Sequence, residues 1–111
     1  MAKASGVTIS LRMDKVPLIR DTYRFVDEGC IPGAAFRNLD FVEMDSHMAA
    51  DLNYNLKMIA MDAQTSGGLL MSVPHGIADE MLEELHAAGL ISSSVVGSVV
   101  AKGEKYLCFE S

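Results

Sequence analysis

The sequence predicts an α+β fold, a mixed β-sheet flanked by helices. Three observations carry that reading. A run of period-two alternation opens the chain, an amphipathic helical stretch lies at residues 77–88, and two β-rich runs close it. The 111 residues fit a single domain, 1–111. Nine Lys+Arg against fifteen Asp+Glu leave a net charge of −6, and half the residues are hydrophobic. That balance belongs to a globular chain and excludes a disordered one. It also argues against a nucleic-acid partner, because phosphate backbones need clustered cations. No apolar run approaches the ~20 residues that cross a bilayer, so no membrane role is expected. No secretory signal is evident at residues 1–6, and Cys30 and Cys108 make neither a disulfide framework nor a zinc spacing. The expected compartment is the reducing cytoplasm.

The elements follow in order. Val7, Ile9, Leu11 and Met13 share one face of an opening strand. Residues 18–28 carry Ile19, Tyr23 and Val26 at helical spacing, with Pro17 ahead and Gly29 as a left-handed stop. Pro32-Gly33 opens a loop over residues 30–38, and residues 38–43 read as a short edge strand. Asp45 or Ser46 caps a helical stretch at 48–61, with a break expected at Asn53-Tyr54-Asn55. A second loop at 62–68 runs into an apolar strand at 69–74, ended by Pro74. In the helix at 77–88, Ile77, Met81, Leu85 and Ala88 form one stripe, Asp79 and Glu80 occupy the first turn, and Gly89 follows. Residues 95–100 and 105–109 read as strands joined in a hairpin through 101–104.

Candidate chemistry concentrates in two loops. Gln64-Thr65-Ser66-Gly67-Gly68 offers two hydroxyls, an amide and two residues without Cβ, so backbone N–H groups can approach an anion such as phosphate. The loop has no Lys or Arg and precedes a strand, so neither the P-loop nor the dinucleotide fingerprint fits. On chemistry alone a structural turn is the simpler reading. In the other loop, Arg37 offers an anion-pairing guanidinium and Asn38 a hydrogen-bonding amide. The simpler alternative there is a surface loop with Phe36 packed on the core and Arg37 solvated. His47, His75 and His86 are far apart with no supporting carboxylate pattern, so no metal ligands are assigned. Cys108, within a strand, reads as a packed thiol, and Cys30 has no basic neighbour to activate it. Glu80, Glu83 and Glu84 read as a solvated helix face. Met48, Met58, Met61, Met71 and Met81 read as core fillers.

Asp62-Ala63-Gln64-Thr65-Ser66-Gly67-Gly68-Leu69-Leu70, followed by Val73-Pro74, resembles the Asp-Pro/Ala-Gln-Thr-Ser-Gly-Gly-Leu-Leu signature of selenophosphate synthetases (selenide, water dikinases). Pro32-Gly33 through Arg37-Asn38 resembles that family's Pro-Gly-Gly-Thr-x-Arg-Asn loop, and Val16-Pro17 and Glu28-Gly29 sit in the same order. The resemblance covers essentially the whole chain. It implies a C-terminal domain of the aminoimidazole ribonucleotide synthetase type, cut from a longer enzyme. That enzyme makes selenophosphate, AMP and phosphate from ATP, selenide and water, with magnesium. The family's nucleophile, lysine and metal-binding aspartates belong to the N-terminal catalytic domain, the partner this chain lacks. The resemblance therefore implies a lobe that completes an inter-domain ATP cleft and is inactive alone, with no cofactor held tightly by itself, in an enzyme expected to be a homodimer. It places Gln64, Thr65, Ser66, Gly67, Gly68, Asn38 and Arg37 at the ligand and assigns no catalytic residue. Ala34 and Ala35 depart from the family's Gly and Thr, and Ala34 would resist a positive φ, so neither is expected to touch ligand. Two other classes stay open on the residues: a stand-alone regulatory module binding an anion or nucleotide, and a structural or oligomerisation domain.

Overall fold

The computed structural model describes every residue except Thr65. Its centre is a mixed four-stranded sheet of order β2-β4-β1-β3, with β1 at Val7–Arg12, β2 at Ser46–Met48, β3 at Gly97–Ala101 and β4 at Leu107–Glu110. β1 runs parallel to β4 and antiparallel to β3, and β2 runs parallel to β4. The expected α+β class, a mixed sheet with flanking helices, is what the chain forms.

Alternation in β1 decides which face is dry. Leu11 aligns with Phe109, and Phe109 with Met48, so these side chains share one face. Among the described residues, five helices accompany the sheet: α1 at Ala2–Ser5, α2 at Thr22–Asp27, α3 at Gly33–Val42, α4 at Tyr54–Ala60 and α5 at Ala78–Ala87. α4 lies against α2, α3 and the 3-10 turn Met13–Lys15 that ends β1. Met13, Ala35, Met58, Met61 and Phe109 form the buried centre, packed around by Leu11, Val26, Leu39, Val42 and Leu56. The opposite face carries a polar row across all four strands, His47, Cys108, Ser10 and Ser98.

Several expectations need correction. Residues 38–43 are not an edge strand: 38–42 are the second half of α3 and Glu43 opens a 3-10 turn, while residues 33–38 are the first turns of α3 rather than a loop. The stripe Ala35, Leu39, Val42 spans that boundary at spacings of four and three, and all three contribute to the core. Because Ala34 is helical, no positive φ is demanded of it, and Ala35 is wholly buried. Phe36, expected on the core, is instead 45% exposed. The helix expected over 48–61 is only α4: Ser46–Met48 pair with β4, and the cap is Asn53, whose Oδ1 accepts from the Asn55 amide at 2.8 Å. α2 begins late because Asp21 adopts φ 68°, which breaks the helix upstream, while Gly29 at φ 85° supplies the expected stop. Residues 69–74 form no strand, and Met71 is exposed rather than core.

The expected C-terminal hairpin is split. β1 lies between β3 and β4, so residues 102–106 must straddle two strand spacings, roughly 10 Å. Thr8 anchors that crossing: its buried Oγ1 accepts from the Gly103 amide at 2.8 Å and donates to the Lys105 carbonyl at 2.6 Å. At the other end of β3 the backbone of Gly97 presses on β1, where a Cβ would lie 2.0 Å from the Ser10 carbonyl oxygen. Only glycine permits that approach.

The accessible surface is 7776 Å². A closed monomer of 12.0 kDa exposes about 6,000 Å². The radius of gyration is 14.7 Å, where about 13 Å is usual for this length. Among the described residues, no helix is long and apolar enough to cross a membrane.

Candidate functional site

The candidate loop leaves α4 at Met61 and Asp62. Its anchor is Asn38 on α3, whose Nδ2 donates to the Met61 carbonyl at 2.9 Å. This carbonyl is among the last of α4, where helices leave acceptors unpaired. Asn38 therefore does locally what a cap does, and it fixes the point from which residues 62–68 depart. One turn away, Gly33 opens the space over which Arg37 lies, with Nη1 3.9 Å from where a Gly33 Cβ would stand. Arg37 is exposed and makes no ion pair among the described residues.

Gln64, Ser66, Gly67 and Gly68 are exposed. The Gln64 side chain folds back over the loop, its Oε1 2.9 Å from the position of a Gly67 Cβ. Gly68 has open space around it. Thr65, the fifth candidate of this loop, lies outside the described residues. Among the described residues, no hydrogen bond to a protein acceptor is seen for the backbone amides of Ala63, Gln64 or Ser66 to Val73. Beside the loop's root, a groove of about 140 Å³ is lined by Thr22, Phe25, Cys30, Ile31, Met58 and Asp62. Sequence reasoning missed this groove, because its walls come from α2, the 30–32 turn and α4, which no local pattern connects.

The remaining candidates stay apart from the loop. His47 sits on β2, His86 Nε2 bonds the Ser93 carbonyl at 2.9 Å, and His75 lies in a 3-10 turn. Among the described residues, no three His, Cys, Asp or Glu side chains gather into a metal-binding group. The perturbed charges are also elsewhere. Lys3 is held above its ordinary pKa by its hydrogen bond to Asp45, and Asp14 below its own by a hydrogen bond from Lys15. Among the described residues, the site thus consists of backbone donors, the Ser66 hydroxyl and the Gln64 and Asn38 amides, with one exposed guanidinium on the neighbouring helix.

Fold and loop together define a class: an α+β unit that presents a glycine-bearing polar loop at the end of α4 and leaves much apolar surface uncovered. No family model matches the chain. Curated proteins do. The selenide, water dikinase of Clostridioides difficile (strain 630) is 37% identical over 107 residues, which cover 96% of this chain and 31% of that protein. The selenide, water dikinase of Porphyromonas gingivalis (strain ATCC BAA-308 / W83) is 43% identical over 90 residues, 81% of this chain and 25% of that protein. Selenide, water dikinase 2 of Peptoclostridium acidaminophilum is 33% identical over 105 residues, 95% of this chain and 30% of that protein.

Over most of its length the chain matches the C-terminal domain of selenophosphate synthetases (selenide, water dikinases). It spans about a third or less of the length of these relatives.

Proposed function

We propose that residues 1–111 are the C-terminal domain of a selenophosphate synthetase and form one wall of its ATP cleft without turning over substrate alone. The observation that carries this reading is the match along 96% of the chain to a selenide, water dikinase of which it covers 31%. The whole enzyme would convert ATP, selenide and water to selenophosphate, AMP and phosphate. It would work in the cytoplasm as a homodimer whose N-terminal domain supplies the reactive groups.

In this reading the loop's role is positioning. Phosphoryl transfer depends on holding the phosphates in line and offsetting their charge. Backbone amides around Gly67 and Gly68, with the Ser66 hydroxyl and the Gln64 amide, would donate to phosphate oxygens. Arg37 would add a cation, and Asn38 would hold the loop's root through Met61. Magnesium is a different matter. Among the described residues, no three His, Cys, Asp or Glu side chains gather into a cluster suited to it.

The test is full-length enzyme carrying Thr65→Ala with Ser66→Ala. ATP turnover should fall by about tenfold or more, the scale of lost phosphate positioning, and unchanged kinetics would refute the role of the loop. The 111-residue chain alone should release no AMP from ATP and selenide. Calorimetry of that chain with ATP separates the readings further, since tight binding without the other lobe would favour a stand-alone nucleotide module.

A further inference from the structure

Three elements meet at the β2 edge of the sheet and enclose a groove of about 250 Å³. Leu39, Asp40 and Glu43 come from α3 and the turn after it, Ser46 and Met48 from β2, and Lys57 from α4. Among the described residues, none of the candidate loop lines it.

The charges of this groove are unpaired. Asp40 and Glu43 on one wall and Lys57 on another make no ion pair among the described residues. Ser46 is only 8% exposed, yet its hydroxyl takes part in no hydrogen bond among the described residues. Every fully buried side-chain oxygen or nitrogen described has a partner, so this hydroxyl must open on the groove that its residue lines. The strand edge adds backbone groups. β2 is outermost, and it turns the Asp45 carbonyl and the Ala49 amide inward to bond Tyr106 and Phe109. Alternate residues of a parallel strand bond the same neighbour, so Ser46 and Met48 direct their amides and carbonyls outward.

A ligand that satisfies this set carries both signs of charge on a small body. A bare metal ion would be repelled by Lys57, and a phosphate by the two carboxylates. We propose that this groove binds a free α-amino acid. The ligand's carboxylate would accept from the Lys57 ammonium and the Ser46 hydroxyl, and its ammonium would donate to Asp40 and Glu43. Its side chain would lie on Leu39 and Met48, which favours an apolar one. The site rests on its own residues and not on the function proposed above.

An NMR titration of the 111-residue chain with L-leucine tests it. Saturable shifts are expected at the amides of Asp40, Ser46, Met48 and Lys57. N-acetyl-L-leucine lacks the ammonium and L-leucinamide lacks the carboxylate, so each should bind at least about tenfold more weakly. Lys57→Met should bring L-leucine down to the level of L-leucinamide. Asp40→Asn with Glu43→Gln should bring it down to that of N-acetyl-L-leucine. If these variants do not fold, the three ligands on the unaltered chain decide alone. No saturation at millimolar L-leucine would overturn the proposal, as would equal binding of the three ligands. Saturation that shifts only residues 64–68 would overturn it as well. So would binding of the peptide Ala-Leu-Ala-Leu without binding of L-leucine, since an extended chain would then occupy the β2 edge. None of these outcomes depends on ATP turnover.

Discussion

Residues 7–61 with 97–110 and residues 62–96 are built on opposite terms. The first set holds seven of the eight buried apolar residues, the eighth being Ala2. Its strands are paired, and Asn38, Asn53 and Thr8 satisfy its helix ends and loop crossing. Among the described residues of 62–96, not one is buried, and Leu69, Leu70, Met71, Ile77, Leu90, Ile91 and Val95 are all exposed. The difference teaches where stability and where contact reside. Burial of apolar area stabilises at roughly 25 cal/mol per Å², so the first set supplies the folding free energy. The second carries the candidate ligand loop and surface suited to a neighbour.

Substitutions can break or sharpen that contrast. The largest effect is expected at Gly97→Ala, where the new Cβ would stand 2.0 Å from the Ser10 carbonyl and force β3 off β1. A loss above about 3 kcal/mol in denaturant unfolding is expected, as for other severe backbone clashes. Thr8→Val keeps the shape but orphans the Gly103 amide and the Lys105 carbonyl, and should cost about 2 kcal/mol by the same measurement. On the other side of the comparison, Ile91→Ser should change stability by no more than about 0.5 kcal/mol, since Ile91 is 78% exposed. A large loss there would show that residues 62–96 share the core after all.

The smallest effect concerns pH. The Asp45 carboxylate holds the Lys3 ammonium above its ordinary 10.5. A raised folded-state value means this contribution is complete below 10.5 and disappears as pH climbs past it. Both groups face solvent, so the gain is small and screened by salt. Melting curves of Lys3→Met and the unaltered chain should differ slightly at neutral pH and coincide in strong alkali.

Much of this architecture was legible in the sequence. β1, α5 and the Gly29 and Gly89 stops follow from periodicity and from residues that adopt positive φ. α3 was hidden because Pro32-Gly33 reads as a turn, which cut its stripe at Ala35 before Leu39 and Val42 could be counted with it. The split of β3 from β4 was hidden for another reason. Local pattern reports that two strands exist, whereas insertion of β1 between them is a fact of register. The site was legible as residue types rather than as geometry. Gln64 to Gly68 announce a polar glycine loop, but nothing in their order reveals that Asn38 reaches the Met61 carbonyl. Arg37 and Asn38 read as loop residues from local pattern, yet they owe their positions to a helix.

The placement of β1 also sets a timetable. The first of these four strands has as its two neighbours the last two, so the sheet cannot close around it until about residue 110 has emerged. Pairings between such distant segments fold slowly, because the intervening chain must first be gathered in. During synthesis Val7, Ile9 and Leu11 must wait with open edges, and a chain stalled after α5 would present them to whatever chaperone or sister chain arrives first.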